Sequence, residues 1–322
     1  MAILTLVPDC SRRSTLLSVV SVALLGVGLQ IAAGQQVDRS PGGPPMGYRP
    51  VPDFFQLPAD FNFGMTSGIA IGPQGKIYVF NRGAHPLVEF DANGKFLRSL
   101  GEQGVFIAPH GIRVDREGNI WTVDVSSHMV VKINQKGNVL KVLGRKAEAG
   151  TNKLRFNRPA DIAIADSGEF YVADGYGNSR VVKFDKDGNY LLEWGKKGTG
   201  QGEFNIVHAI VVDNRGKVYV GDRENYRVQV FDESGKFLTQ WASVGSPWGL
   251  DFTADRQHIL LADGYNNRVV KLNLEGQIVG VQGGPGRAPG QFIHAHAIAA
   301  AANGDFYVAE IENWRAQKFS QK

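Results

Sequence analysis

The chain has 322 residues, with 43% hydrophobic and 20% charged residues and 40 glycines. That is enough apolar material for a large core and more glycine than the usual ~7%, which excludes a disordered chain, a coiled coil and a disulfide scaffold. A net charge of +4 without a basic cluster excludes an electrostatic nucleic-acid binder.

The first 34 residues are expected not to belong to the fold. Arg12 and Arg13 precede an uncharged, mostly apolar run from Leu16 to Leu29, followed by Ala32-Ala33-Gly34. This is the order of a secretory signal with a small-residue cleavage site, and it predicts a mature start near Gln35. The run is short of the ~20 residues that span a bilayer, so no stable membrane association is expected after cleavage. Ser11-Arg12-Arg13 also resembles part of a twin-arginine export signal, although Thr15 stands where that pattern has an aromatic; by either this or the ordinary secretory route the predicted location is secreted or periplasmic. The single cysteine, Cys10, lies in this segment. Its removal leaves no thiol for catalysis, metal binding or disulfides. Residues 35–50, QQVDRSPGGPPMGYRP, are predicted to be a Pro/Gly-rich linker.

From residue 51 to 322 one motif recurs six times. Apolar anchors fall at Tyr78, Trp121, Tyr171, Tyr219, Leu260 and Tyr307, spaced by 43, 50, 48, 41 and 47 residues. Three residues after each anchor stands Asn81, Asp124, Asp174, Asp222, Asp263 or Glu310. Pairs such as Asn93-Gly94 and Asp187-Gly188 mark hairpin turns, and runs such as Arg180-Val181-Val182-Lys183-Phe184 alternate as strands do. Four short strands per ~40–45 residues make one blade of a β-propeller, so the fold class is all-β with six blades. The sixth repeat has room for only three strands before Lys322. A segment around Val51–Leu57 is expected to supply the fourth and leave no open edge.

Eleven residues before the anchors lie Ser67, His110, Ala160, His208, Gly249 and His296. Histidine thus occupies one register in blades two, four and six only. Alternate blades of six are related by about 120°, so three imidazoles at the start of the innermost strands converge on the channel axis. That is a three-histidine metal site with an open fourth position, zinc being the first expectation, although imidazole sites also take copper, nickel or iron. His294, two residues before His296, would share its strand face and is a candidate fourth ligand or proton carrier. His85, His128 and His258 follow no such pattern, and His258 is expected at the surface.

The stretches Val172-Ala173-Asp174-Gly175-Tyr176-Gly177-Asn178-Ser179-Arg180 and Leu261-Ala262-Asp263-Gly264-Tyr265-Asn266-Asn267-Arg268 resemble the NHL repeat. Pro109-His110-Gly111, Val207-His208-Ala209, Asp222-Arg223-Glu224-Asn225 and His294-Ala295-His296 sharpen this to a resemblance to the peptidyl-α-hydroxyglycine α-amidating lyases over about residues 65–319. The resemblance implies a zinc held by His110, His208 and His296. It also implies catalytic roles for Tyr176 and for Arg82 in Phe80-Asn81-Arg82-Gly83, the tyrosine as a base of lowered pKa and the arginine as a carboxylate partner. The implied reaction cleaves the N–C bond of a carbinolamide to an amide and glyoxylate, on a small-molecule or peptide substrate. A calcium site at the main chain of Ile69 and Ile112 is implied as well, but Ala297 stands where the family has its only charged calcium ligand, which predicts weak or absent calcium. The family's methionine before the third histidine is His294 here. The alternative function is a non-catalytic exported propeller that binds a protein or carbohydrate and keeps a structural metal. Arg180, Arg227, Arg268 and Arg315 belong to the repeat and are expected to tie blades together by ion pairs.

Overall fold

The computed structural model describes residues 42–101 and 104–322. The predicted signal segment and residues 35–41 of the predicted linker lie outside the described residues.

Six four-stranded antiparallel sheets follow one another along the chain. Blade one comprises Thr66–Ile71, Ile77–Asn81, Leu87–Phe90 and Phe96–Leu100. The innermost strands of the next four blades are Pro109–Val114, Asp161–Ile164, Val207–Val212 and Pro247–Phe252. Blade six begins with Ala295–Ala300. Each innermost strand packs on the next, and that of blade six packs on that of blade one, so the ring is closed.

Burial explains the arrangement. The anchors Tyr78, Trp121, Tyr171, Tyr219, Leu260 and Tyr307 are all at most 3% exposed. Six hydrophobic clusters occupy the six interfaces between neighbouring blades, one cluster to each. A blade buries both faces only against its neighbours, which is why the sheets assemble as a ring. Outer hairpins turn where Gly94, Gly137, Gly188, Gly235 and Gly276 take φ between 80 and 90°, a conformation that disfavours a Cβ.

The fourth strand of the sixth sheet is Tyr48–Val51, paired antiparallel with Arg315–Gln321. It overlaps the expected Val51–Leu57 only at Val51, and Tyr48–Pro50 fall inside the stretch read as linker. The Tyr48 ring packs edge-on against Phe306 at 4.8 Å and its hydroxyl donates to the Gly304 carbonyl at 3.0 Å, contacts that Pro/Gly composition conceals. Pro50 is tolerated because an outer strand needs no N–H on its free side. Residues 54–57 instead cover the seam between blades one and six: Gln56 bridges to Lys95, Phe55 packs on Phe90 at 5.0 Å, and Phe54 packs on Tyr307 at 5.8 Å.

The repeat acids fix how the chain enters each blade. Asp124, Asp174, Asp222 and Asp263 accept backbone N–H groups of Ala108, Asn157, Asn205 and Ser246, just ahead of the innermost strands. The repeat arginines pair within their own blades, Arg180 with Asp174 at 2.9 Å and Arg227 with Asp222 at 2.8 Å. Their remaining donors hold carbonyls of the incoming loop, such as Arg155 and Glu203. They therefore bind turn to loop; where blade-to-blade ion pairs are expected, Arg180, Arg227 and Arg315 pair with the repeat acid of their own blade.

Candidate metal centre

The histidine register is a β-bulge. The pairing of first and second strands shifts between Pro109 and Ile112, Val207 and Ala209, and Ala295 and Ala297. A bulge leaves one residue unpaired and re-aims its side chain, here toward the axis. In blade five the shift falls between Pro247 and Gly249, so the equivalent residue is Trp248. Counting back from the anchor gave Gly249 because the following turn is one residue longer in this blade.

The three bulge histidines meet. Their rings are 4.6, 4.8 and 5.0 Å apart between centroids, and one nitrogen from each lies within 4.8 Å of the other two. All three are at most 3% exposed. The odd blades complete the pattern. His110 Nδ1 bonds the Ala160 carbonyl at 2.7 Å, His208 Nδ1 that of Trp248 at 2.6 Å, and His296 Nδ1 that of Ser67 at 2.6 Å. A carbonyl only accepts, so each Nδ1 carries the proton and each Nε2 presents a lone pair. Burial, reinforced by the neighbouring imidazoles and by Arg82 and Arg223, holds all three well below the usual histidine pKa, His296 at about 3. Three neutral, pre-oriented imidazoles in a buried site are a donor set that fits zinc or another borderline transition ion.

Tyr176 reaches this centre from the turn of blade three. Its hydroxyl lies 3.1 Å from His110 Nε2 and 2.9 Å from His208 Nε2, and accepts from Arg223 Nη1 at 3.1 Å. Where neighbouring cations are expected to lower the phenol pKa, burial outweighs them and raises it, while Arg223, Arg82 and Arg158 oppose that rise. Arg82 stands at the mouth, its Nε donating to the Pro109 carbonyl beside His110 at 3.1 Å.

Arg223 is the residue that sequence reasoning left without a role. It is 9% exposed, bonded to Glu224 at 2.8 Å, and lies over the rings of Tyr176 and Trp248 at 5.2 and 4.8 Å. The signal was present: it follows the repeat acid of blade four as Arg82 follows Asn81 in blade one, while the other four blades have Val125, Gly175, Gly264 and Ile311 there.

His294 does not join the three-histidine cluster. The strand begins at Ala295 and His294 has φ of 56°, so alternation along a strand does not apply to it. Its ring stacks on Trp248 at 5.2 Å with an 11° tilt. His85 stacks on Phe61, and His128 Nδ1 accepts from the Arg158 N–H. His258 opens a strand and is partly buried.

The implied calcium position fits less well. Ile69 and Ile112 are fully buried, but the Ile112 carbonyl already accepts from Arg113 Nη1 at 3.0 Å. With that oxygen taken and no carboxylate at Ala297, these residues do not fit a calcium ion.

Comparison with known proteins agrees with this architecture. The NHL repeat family matches residues 156–184 and 204–231. Peptidyl-glycine alpha-amidating monooxygenase B of Xenopus laevis is 35% identical over 194 residues, 50% of this chain and 22% of that protein. A probable peptidyl-alpha-hydroxyglycine alpha-amidating lyase of Caenorhabditis elegans is 29% identical over 178 residues, 52% of this chain and 50% of that one. The chain thus spans about a fifth of the amphibian relative and half of the nematode one. A streptogramin B lyase structure superposes with a TM-score of 0.58 at 14% identity, covering 85% of this chain and 87% of its own, and so shares the fold. The chain is a six-bladed propeller that carries NHL repeats at residues 156–184 and 204–231 and resembles the peptidyl-α-hydroxyglycine α-amidating lyases.

Proposed function

We propose that this protein is a metal-dependent lyase that cleaves the N–C bond of a peptidyl-α-hydroxyglycine or a similar carbinolamide, releasing an amide and glyoxylate. The observation that carries the reading is the phenol of Tyr176, set within hydrogen-bond reach of two metal-facing nitrogens and of a buried arginine. A divalent metal on the three Nε2 atoms would supply Lewis acidity toward the substrate's hydroxyl or carboxylate oxygen.

The protein's own groups account for the rest. Arg82, at the mouth, pairs with the substrate carboxylate and orients the α-carbon. Arg223 donates to the Tyr176 oxygen and, with the positive charge a bound metal would bring, offsets the burial that raises the phenol pKa. Tyr176 then takes the α-hydroxyl proton. The C–O bond becomes the aldehyde of glyoxylate, the C–N pair leaves on the amide nitrogen, and that nitrogen takes a proton back from Tyr176. No redox partner is needed, and atoms and charge balance. Trp248 backs Arg223 and, through its carbonyl, His208.

The leading segment, with its apolar run and small-residue site, supports placing this activity in the periplasm or outside the cell. Incubation with an N-acyl-α-hydroxyglycine tests the reading. Glyoxylate release by the metal-loaded protein, absent in His208→Ala, is expected. Metal retention without any turnover would move the protein to the class of binding propellers.

A further inference from the structure

Deeper along the axis a second constellation lies outside the chemistry proposed above. Arg113 and Asp251 each pair with their own blade's anchor, Trp121 and Leu260, so they share one register in blades two and five. The other four blades have Ala70, Ala163, Val211 and Ala299 there. Blades two and five are opposite in a ring of six, and so the two charged residues face each other across the channel. Asp161 of blade three pairs with Ala173, the register that holds Ala297 in blade six. The carboxylate missing at Ala297 is therefore present on the opposite wall.

Arg113 joins these walls. Its Nη2 donates to Asp161 Oδ2 at 2.8 Å and to the Leu250 carbonyl at 3.1 Å, while Nη1 donates to the Ile112 carbonyl at 3.0 Å. A side chain rooted in blade two that reaches a carbonyl of blade five crosses the axis. Asp251 is held by the N–H groups of Phe252 and Ala300, both at 2.9 Å. Beyond the guanidinium, toward the far ends of the innermost strands, opens a cavity of about 390 Å³ lined by Arg113, Asp251, Phe252 and Arg256 among others.

We propose that the guanidinium of Arg113 is the built-in axial cation of this propeller, ligated by carbonyls and carboxylate as a metal ion would be, and that it makes the channel indifferent to calcium. It supplies a positive charge to the buried Asp161 carboxylate and the half-buried Asp251 carboxylate, links blades two, three and five, and blocks the axis between the histidine layer and the far cavity. Substrate can then reach the histidines from one face only. A calcium ion would have to share the Ile112 carbonyl and the Asp161 carboxylate with a cation already bound there.

The test needs no turnover and is independent of the lyase reading. Zinc-loaded wild type is equilibrated with millimolar calcium, desalted, and assayed for bound calcium and for Tm, beside Arg113→Ala and Arg113→Lys. Wild type and the lysine variant are expected to retain no calcium and to show no calcium-dependent Tm. Arg113→Ala is expected to melt ~5 °C or more lower, because the buried Asp161 carboxylate loses its paired cation. Millimolar calcium should restore part of that loss and remain bound at about one ion per chain. Stoichiometric calcium in wild type overturns the proposal, and so does an alanine variant that folds and ignores calcium. If the alanine variant fails to fold, wild-type calcium content still decides.

Discussion

Replacing Tyr176 with phenylalanine isolates the chemical step. The change removes one oxygen that touches His110 Nε2, His208 Nε2 and Arg223 Nη1 at 3.1, 2.9 and 3.1 Å, and leaves the ring in place. Arg223 keeps its 2.8 Å pair with Glu224, and each histidine keeps its carbonyl partner through Nδ1. The fold should therefore lose only ~1 kcal/mol, the net worth of a hydrogen bond, and the three metal-binding nitrogens remain. Turnover should fall much further. Loss of a positioned base costs ~10²-fold or more, about 2.7 kcal/mol of barrier. The assay is glyoxylate release from an N-acyl-α-hydroxyglycine, with metal content measured on the same samples. Equal turnover in variant and wild type would return Tyr176 to turn packing. A loss matched by loss of metal would make it a ligand rather than a base.

Three further outcomes follow from the same geometry. Arg223→Met should lower turnover by ~10-fold or more and raise the apparent pKa of the catalytic group in the pH–rate profile, since Arg223 is the largest influence opposing the burial that raises the phenol pKa. An unchanged profile would assign Arg223 to packing under Trp248. X-ray absorption of the metal-loaded protein should report three imidazole nitrogens near ~2.0–2.1 Å in both wild type and His294→Met, because His294 stacks on Trp248 away from the cluster; four in wild type and three in the variant would make it a ligand. Burial raises Asp161 to about 6 even with Arg113 beside it. The folded state then holds a proton that the unfolded chain, at the ordinary carboxylate pKa, has released. Stability contributed by this group falls as pH rises from ~4 to 6. Arg113→Ala should extend that decline above pH 6 in a Tm-against-pH series, and a variant profile parallel to wild type would deny the coupling.

What the sequence made legible was whatever repeats. Six anchors, five outer turns and three histidines at one register needed only counting, and they led to the blade number and to a shared axial position for His110, His208 and His296. Single-residue departures from the period were harder to see. One extra residue in the turn before His258 moved the blade-five position from Trp248 to Gly249, which concealed both the third carbonyl acceptor and the opposition of Arg113 to Asp251. Arg223 hid in a polar turn where charge is ordinary. Tyr48 hid in a Pro/Gly-rich stretch, where composition argues against a strand and only the partner Arg315–Gln321 argues for one. His294 was misplaced because its backbone leaves the strand conformation at that residue. The phenol pKa of Tyr176 depends on a balance of burial against three guanidinium groups, which spacing alone does not weigh.

The most direct test of the three-imidazole lyase centre is a zinc titration of metal-free protein, with glyoxylate release followed at each addition. Activity absent without metal, rising in proportion to zinc and levelling at about one equivalent per chain, is the predicted result. Full activity in the metal-free protein, or none once one equivalent is bound, would contradict it.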